Sequence, residues 1–203
     1  MLLPSDIAGP ATREVGFFET EARNASQWIA SIGNRSWHLL PSATLVDLIR
    51  EVPSAADMRD FARRDLLIPL GSWSALINNS VAGTDVGGLP GVAAEYHGYR
   101  GIRAVSSRLS EHPATMLEVY EPGIGAPLNR RRLIYAMSDR GRWSFDTEGE
   151  PFDFEETENY SKRRIRDRFT PEMLERYLIA LGVPMLESAD DPIEGAILVA
   201  SEG

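Results

Sequence analysis

Residues 141–182 read GRWSFDTEGEPFDFEETENYSKRRIRDRFTPEMLERYLIALG. Arg142 to Thr147 alternates as a strand does, and Ser138-Asp139-Arg140-Gly141 before it is a hairpin signal. At the far end Thr170 can cap a helix, Pro171 suits its first position, Phe169 can staple onto Leu174, and Gly182 followed by Val183-Pro184 stops it. The apolar face of that helix is Met173, Leu174, Tyr177, Leu178 and Leu181. Between strand and helix an acidic run, Asp146, Glu148, Glu150, Asp153, Glu155, Glu156 and Glu158, precedes a basic one, Lys162, Arg163, Arg164, Arg166 and Arg168. Asp153 and Glu156 have capping-box spacing, which predicts a helix running to about Arg168 whose early acids and late arginines match its dipole.

Outward from this stretch, strands are expected at Arg132 to Met137, Thr115 to Tyr120, Gly101 to Ser106 and Ser72 to Ile77, the last closing at Asn78-Asn79-Ser80. A short helix is expected from Leu89 to His97, with Gly98 after it. The connections are mostly too short for crossover helices, so the strands should form an antiparallel meander. Upstream the pattern is helical: Phe18, Ala22, Ala25, Trp28 and Ile29 recur at helical spacing within 17–32. Leu45, Leu48, Ile49 and Val52 follow Ser42 as N-cap, and Met58, Phe61 and Ala62 follow a restart at Ser54. Downstream, Ala196 to Ala200 reads as an edge strand in an otherwise acidic tail. The fold class is α+β, with N-terminal helices, a central antiparallel sheet of about five strands and a C-terminal helix pair. Residues 1–66, 67–185 and 186–203 are its helical segment, core and tail, expected to fold as one cooperative unit.

The chain has 203 residues, 43% hydrophobic and 25% charged, an ordinary globular balance. A net charge of -9 argues against broad attraction to nucleic acid or anionic lipid. Twenty of the 21 basic residues are arginine, as a GC-rich genome would give. With no cysteine, disulfides, thiol nucleophiles and thiolate metal sites are excluded. The first residues lack a basic region followed by a long apolar stretch, so a cytoplasmic location is expected.

Chemistry-bearing constellations are sparse. His38, His97 and His112 do not pair at metal-ligand spacing, and no metal site or cofactor is expected. Residues 83–91, GTDVGGLPG, form a glycine-rich loop able to present backbone N–H groups, yet without the P-loop ending or the dinucleotide spacing. No Gly-x-Ser-x-Gly elbow exists, so no catalytic residue is assigned. The paired carboxylates of the acidic run leave a two-carboxylate hydrolase open, although such density more often marks a solvated surface. Arg130, Arg131, Arg132, Arg140 and Arg142, with Arg100 and Arg103, could form a basic sheet face for phosphate, or could pair with the acidic run.

Gly141-Arg142-Trp143-x-Phe145, Gly149-x-Pro151-Phe152-x-Phe154-Glu155, Tyr160, Arg163-Arg164, Asp167-Arg168-Phe169-Thr170 and Tyr177-x-x-Ala180-Leu181-Gly182 together resemble a group of uncharacterised actinobacterial proteins. Trp73 and Gly83-Thr84-Asp85 are similar to features of the same group. The resemblance covers about two thirds of the chain and implies no particular activity. The expectation is therefore a non-catalytic interaction protein, immunity- or antitoxin-like, that meets a protein partner through Asp146, Glu148, Glu150, Asp153, Glu155, Glu156 and Glu158. The alternative is a ligand-binding domain or enzyme with a pocket around Asp85, Arg100, Arg103, Trp143 and Arg164. A second alternative is nucleic-acid binding through the arginine clusters.

Overall fold

In the computed structural model, which describes residues 13–53, 62–79, 85–108, 110–125, 127–186 and 188–201, the apolar pattern resolves into nine strands and four α-helices among the described residues. Contacts divide the chain into two compact units, Met1–Gly87 with Pro184–Gly203, and Gly88–Val183.

The first unit comprises β1 (Glu14–Phe18), α1 (Ala22–Ser31), β2 (Ser36–Leu39), α2 (Leu45–Ile49), β3 (Arg64–Leu70), β4 (Trp73–Asn78) and β9 (Ile197–Ala200). Its strands lie in the order β2-β9-β3-β4-β1, and each recorded neighbour pair is antiparallel. The second unit comprises α3 (Leu89–His97), β5 (Gly101–Ser106), β6 (Ala114–Tyr120), β7 (Arg130–Asp139), β8 (Arg142–Glu148) and α4 (Pro171–Ala180). Its strands form the expected antiparallel meander β5-β6-β7-β8. The α+β class therefore holds, with five strands in one unit and four in the other where about five in all were expected.

Val15, Phe17 and Phe18 are not the start of a helix but lie on β1, almost wholly buried. A strand covered on both faces shows a continuous apolar run, and that run merged with the helical spacing of α1. The second helix is capped by Thr44, whose hydroxyl accepts from the Asp47 N–H, rather than by Ser42. β3 carries Pro69, which made its apolar run look like a turn; the β9 ladder stops at the Leu67–Ile197 pair, so no hydrogen bond is asked of Pro69 on that side. Residues 196–200 do supply a strand, but β9 lies between β2 and β3 rather than at an edge. The helix expected from Ser54 falls mostly on residues outside those described.

The C-terminal helix pair is one α-helix. Residues 153–168 instead make two 3-10 turns, Thr157–Ser161 and Ile165–Asp167. The final helix is as read: Thr170 caps it by accepting from the Met173 N–H, Pro171 opens it, and Met173, Leu174, Tyr177 and Leu178 are buried.

Each unit buries a carboxylate against arginine. In the first, fully buried Asp65 meets the Arg35 guanidinium at 2.5 Å and Arg63 Nε at 3.2 Å, while Arg35 also donates to the Ile29 carbonyl. In the second, α3 packs on β5 so closely that a Cβ at Gly101 would stand 2.1 Å from the Pro90 carbonyl oxygen. Backbone cannot yield as a side-chain tip can, so Gly101→Ala is expected to cost about 1–3 kcal/mol, read as a lower urea midpoint at unchanged slope.

Candidate functional site

The second unit is organised by the β7–β8 hairpin. Arg140 and Gly141 both have positive φ, 49° and 82°, the two-residue turn whose twist matches paired strands, and Asp139 faces Arg142 across it. After β8 the chain turns back at Gly149, where φ is 81° and a Cβ would lie 2.2 Å from the Arg131 carbonyl oxygen. Only glycine allows that approach.

Beneath the returning segment lies a buried ion pair. Arg132 Nε donates to Glu155 Oε1 at 2.8 Å and Nη2 to Oε2 at 2.6 Å, with side-chain exposures of 3% and 0%. Arg132 Nη1 donates to the carbonyls of Glu148 at 3.1 Å and Gly149 at 2.6 Å. Glu155 accepts in addition from the Phe152 N–H at 3.0 Å and the Tyr160 hydroxyl at 2.9 Å. Tyr177 of α4 accepts from the Glu156 N–H at 2.6 Å, and its oxygen is 3.3 Å from that of Tyr160. This two-pronged geometry satisfies both charges where water cannot.

The electrostatics follow. Burial opposes the charge on Arg132, but hydrogen bonding and attraction to Glu155 outweigh it and hold the guanidinium above its ordinary pKa. Burial, aided by hydrogen bonds to Tyr177 and Glu155 and by the Glu155 charge, pushes the Tyr160 phenol well above the ordinary phenol range. Burial also raises Tyr177, against the lowering effect of its hydrogen bonds with Tyr160 and the Glu156 N–H.

The acidic run is divided by this arrangement. Glu155 is interior; Glu156 is half-buried and ion-paired with Arg176; Glu148 is ion-paired with Arg130. Glu150, Asp153 and Glu158 are exposed on the returning segment, and Asp146 is exposed on β8.

The pocket residues are distributed more widely. Trp143 and Arg164 come together around a cavity of about 470 Å³ with Ile165 and Arg166. Trp143 and Arg166 also line a second cavity of about 450 Å³, with Arg108, Thr115, Asp167 and Glu172 among its walls. Arg108 and Glu172 pair there at 3.1 Å. Arg103 is elsewhere: it pairs with nearly buried Glu118 at 3.1 Å on the β5–β6 register that leads to Glu148, and Trp143, an odd-numbered neighbour on β8, points to the other face. Arg100 is half-buried just before β5. Asp85 belongs to the first unit, its side chain exposed and its backbone clamped by Asn78, which donates to the Asp85 carbonyl and accepts its N–H, both at 2.8 Å. The neighbouring Val86 N–H donates to Glu14, so the described part of the glycine-rich loop offers that donor to the chain's own carboxylate.

Arg108, Glu172 and Tyr177 were not among the candidate site residues, whereas Arg132 was, in an arginine cluster able to pair with the acidic run, and Arg166 stood in the basic run. Arg108, Glu172 and Tyr177 carried no such signal, because their meeting with the site depends on the non-helical path of 149–168. Among the described residues no group of three or more His, Asp or Glu is placed to hold a metal ion. No protein-family model, curated protein or solved structure matches this chain.

Glu155→Gln leaves Arg132 buried without its counter-charge and is expected to cost about 3–5 kcal/mol in urea unfolding, whereas Arg132→Met with Glu155→Leu should recover most of that loss. Tyr160 is raised above its unfolded value of about 10, so its contribution is complete below pH 10 and is lost as pH rises towards the folded value. Wild-type urea midpoints should therefore fall as pH rises from about 10 to about 12, and Tyr160→Phe should flatten that decline while costing about 1 kcal/mol at neutral pH.

Proposed function

We propose that this chain is a protein-interaction module, immunity- or antitoxin-like in its physics, that covers a basic partner with the segment following β8. The observation that supports this reading is the presentation of Glu150, Asp153 and Glu158 to solvent on a segment pinned from below by Arg132 and Glu155. Exposed like charges repel one another unless a partner or salt intervenes, and here the backbone carrying them is held in place, so little ordering entropy is lost on binding. Asp146 and Glu148 extend the same acidity along β8. The chain's net charge of -9 would also steer a basic partner at long range.

A second reading, small-molecule binding, draws support from the two cavities that share Trp143 and Arg166, both within the size range of ligand pockets. The arginine clusters support nucleic-acid binding less well. Arg103 and Arg130 pair with Glu118, Arg131 lies over the Phe152 ring, and Arg132 is interior.

The test is a reversal variant, Glu150→Lys with Asp153→Lys and Glu158→Lys, compared with wild type in cross-linking from the native host. A partner captured by wild type should be lost by the variant and released by moderate salt, with the variant's urea midpoint within about 0.5 kcal/mol of wild type. Equal capture by both proteins would count against the acidic surface. If instead a host metabolite fraction changes tryptophan emission saturably, and Trp143→Phe abolishes that change, the pocket reading takes its place.

A further inference from the structure

β8 is the last strand of its meander, and among the described residues no strand lies beside its outer backbone edge. The turn geometry says which groups that edge presents. A two-residue turn with both φ values positive makes its flanking residues, Asp139 and Arg142, the first hydrogen-bonded pair. Alternation then directs the backbone of Arg142, Ser144, Asp146 and Glu148 towards β7, and that of Trp143, Phe145 and Thr147 outward. The Thr147 N–H fits this assignment, since it donates to Asp146 Oδ1 at 2.8 Å rather than across to β7. Among the described residues no backbone bond outside the ladder involves Trp143 or Phe145. The side chains of Arg142, Ser144, Asp146 and Glu148 share one face of the strand, all exposed.

Charged edges discourage indiscriminate pairing and leave pairing to a strand with the complementary pattern. This strand complements itself. We propose that two copies of the chain associate reversibly through β8, antiparallel, about a two-fold axis at Ser144. In that register Trp143 of each copy faces Phe145 of the other, and their outward N–H and C=O groups make four inter-chain hydrogen bonds. Arg142 of each copy then stands opposite Asp146 of the other on the exposed face, while Phe145 keeps its own packing on Tyr160 and under Arg168 on the opposite face. Neighbouring registers fit less well. An axis at Phe145 needs the Thr147 N–H that Asp146 already holds, and sets Arg142 against Glu148, which Arg130 already pairs. An axis at Asp146 places two carboxylates face to face, and one at Trp143 sets Phe145 against the turn glycine, Gly141.

One strand edge is a small interface and each copy carries -9, so the dimer is weak and in exchange with the monomer. The pairing meets the partner surface proposed above only at Asp146 and leaves Glu150, Asp153 and Glu158 uncovered, so the reversal variant at those three residues and the Arg142–Asp146 swap test the two readings separately.

Two measurements on the purified full chain test it. Ser144 lies at a non-hydrogen-bonded position, where facing Cα atoms are about 4.5 Å apart, within disulfide reach, and the chain has no cysteine of its own. Ser144→Cys should form a covalent dimer under mild oxidation, whereas Glu148→Cys on the same exposed face should not. In sedimentation velocity, wild type should move with concentration from the 22.5 kDa protomer towards twice that mass. Arg142→Asp and Asp146→Arg should each weaken association about tenfold, and the two changes together should restore it. A wild type that stays monomeric at millimolar concentration overturns the proposal, as does equal cross-linking by the two cysteine variants or a double swap that fails to restore pairing.

Discussion

The second unit depends on one interaction, the two-pronged hydrogen bonding of Arg132 to Glu155 with neither side chain open to solvent. Its net contribution to stability is small beside the cost of leaving either partner alone, because both ions lose their hydration on folding. What it supplies is specificity of path. Arg132 also binds the Glu148 and Gly149 carbonyls, and Glu155 also accepts from Phe152 and Tyr160, so a single ion pair fixes the exit from β8, the following loop and the first 3-10 turn. Tyr177 extends this hold to the final helix through its bond with the Glu156 N–H.

The surface features follow from that constraint. With Glu155 drawn inward, its neighbours Asp153 and Glu158 remain outside, and the acidity of the run becomes a property of a braced loop rather than of a helix face. The same path carries Arg164 and Arg166 to Trp143, which creates the two cavities at that indole. The first unit repeats the device with Asp65 between Arg35 and Arg63. Arginine is suited to the Glu155 site because its planar fork satisfies two carboxylate oxygens at once, which lysine cannot do.

The parts of the fold legible in the sequence were those with local cause. Gly141 in a two-residue turn, Thr170 and Pro171 at a helix start, and the alternation of β8 each act within a few residues. The parts that misled depend on distant partners. Asp153 and Glu156 have the spacing of a capping box, but Glu155 is drawn to a guanidinium 23 positions back and the Glu156 N–H to a phenol 21 positions ahead, so the helix does not form. Phe17 and Phe18 suit a helix until β4 is there to cover them, and Ala196 to Ala200 looks like an edge until β2 and β3 flank it. At the candidate site, Trp143 and Arg164 line one cavity, while Arg103 is engaged by Glu118 on the other face.

The claim that one buried ion pair sets the course of residues 149–168 is tested most directly by amide hydrogen exchange in the apolar replacement, Arg132→Met with Glu155→Leu, which keeps the volume and removes the directional bonds. The Phe152, Glu155 and Glu156 amides are expected to lose protection by at least tenfold, an opening of about 1.4 kcal/mol, while the amides of β5, β6 and α4 keep theirs. Unchanged protection through 149–160 would contradict it, because the segment would then hold its path by apolar packing alone.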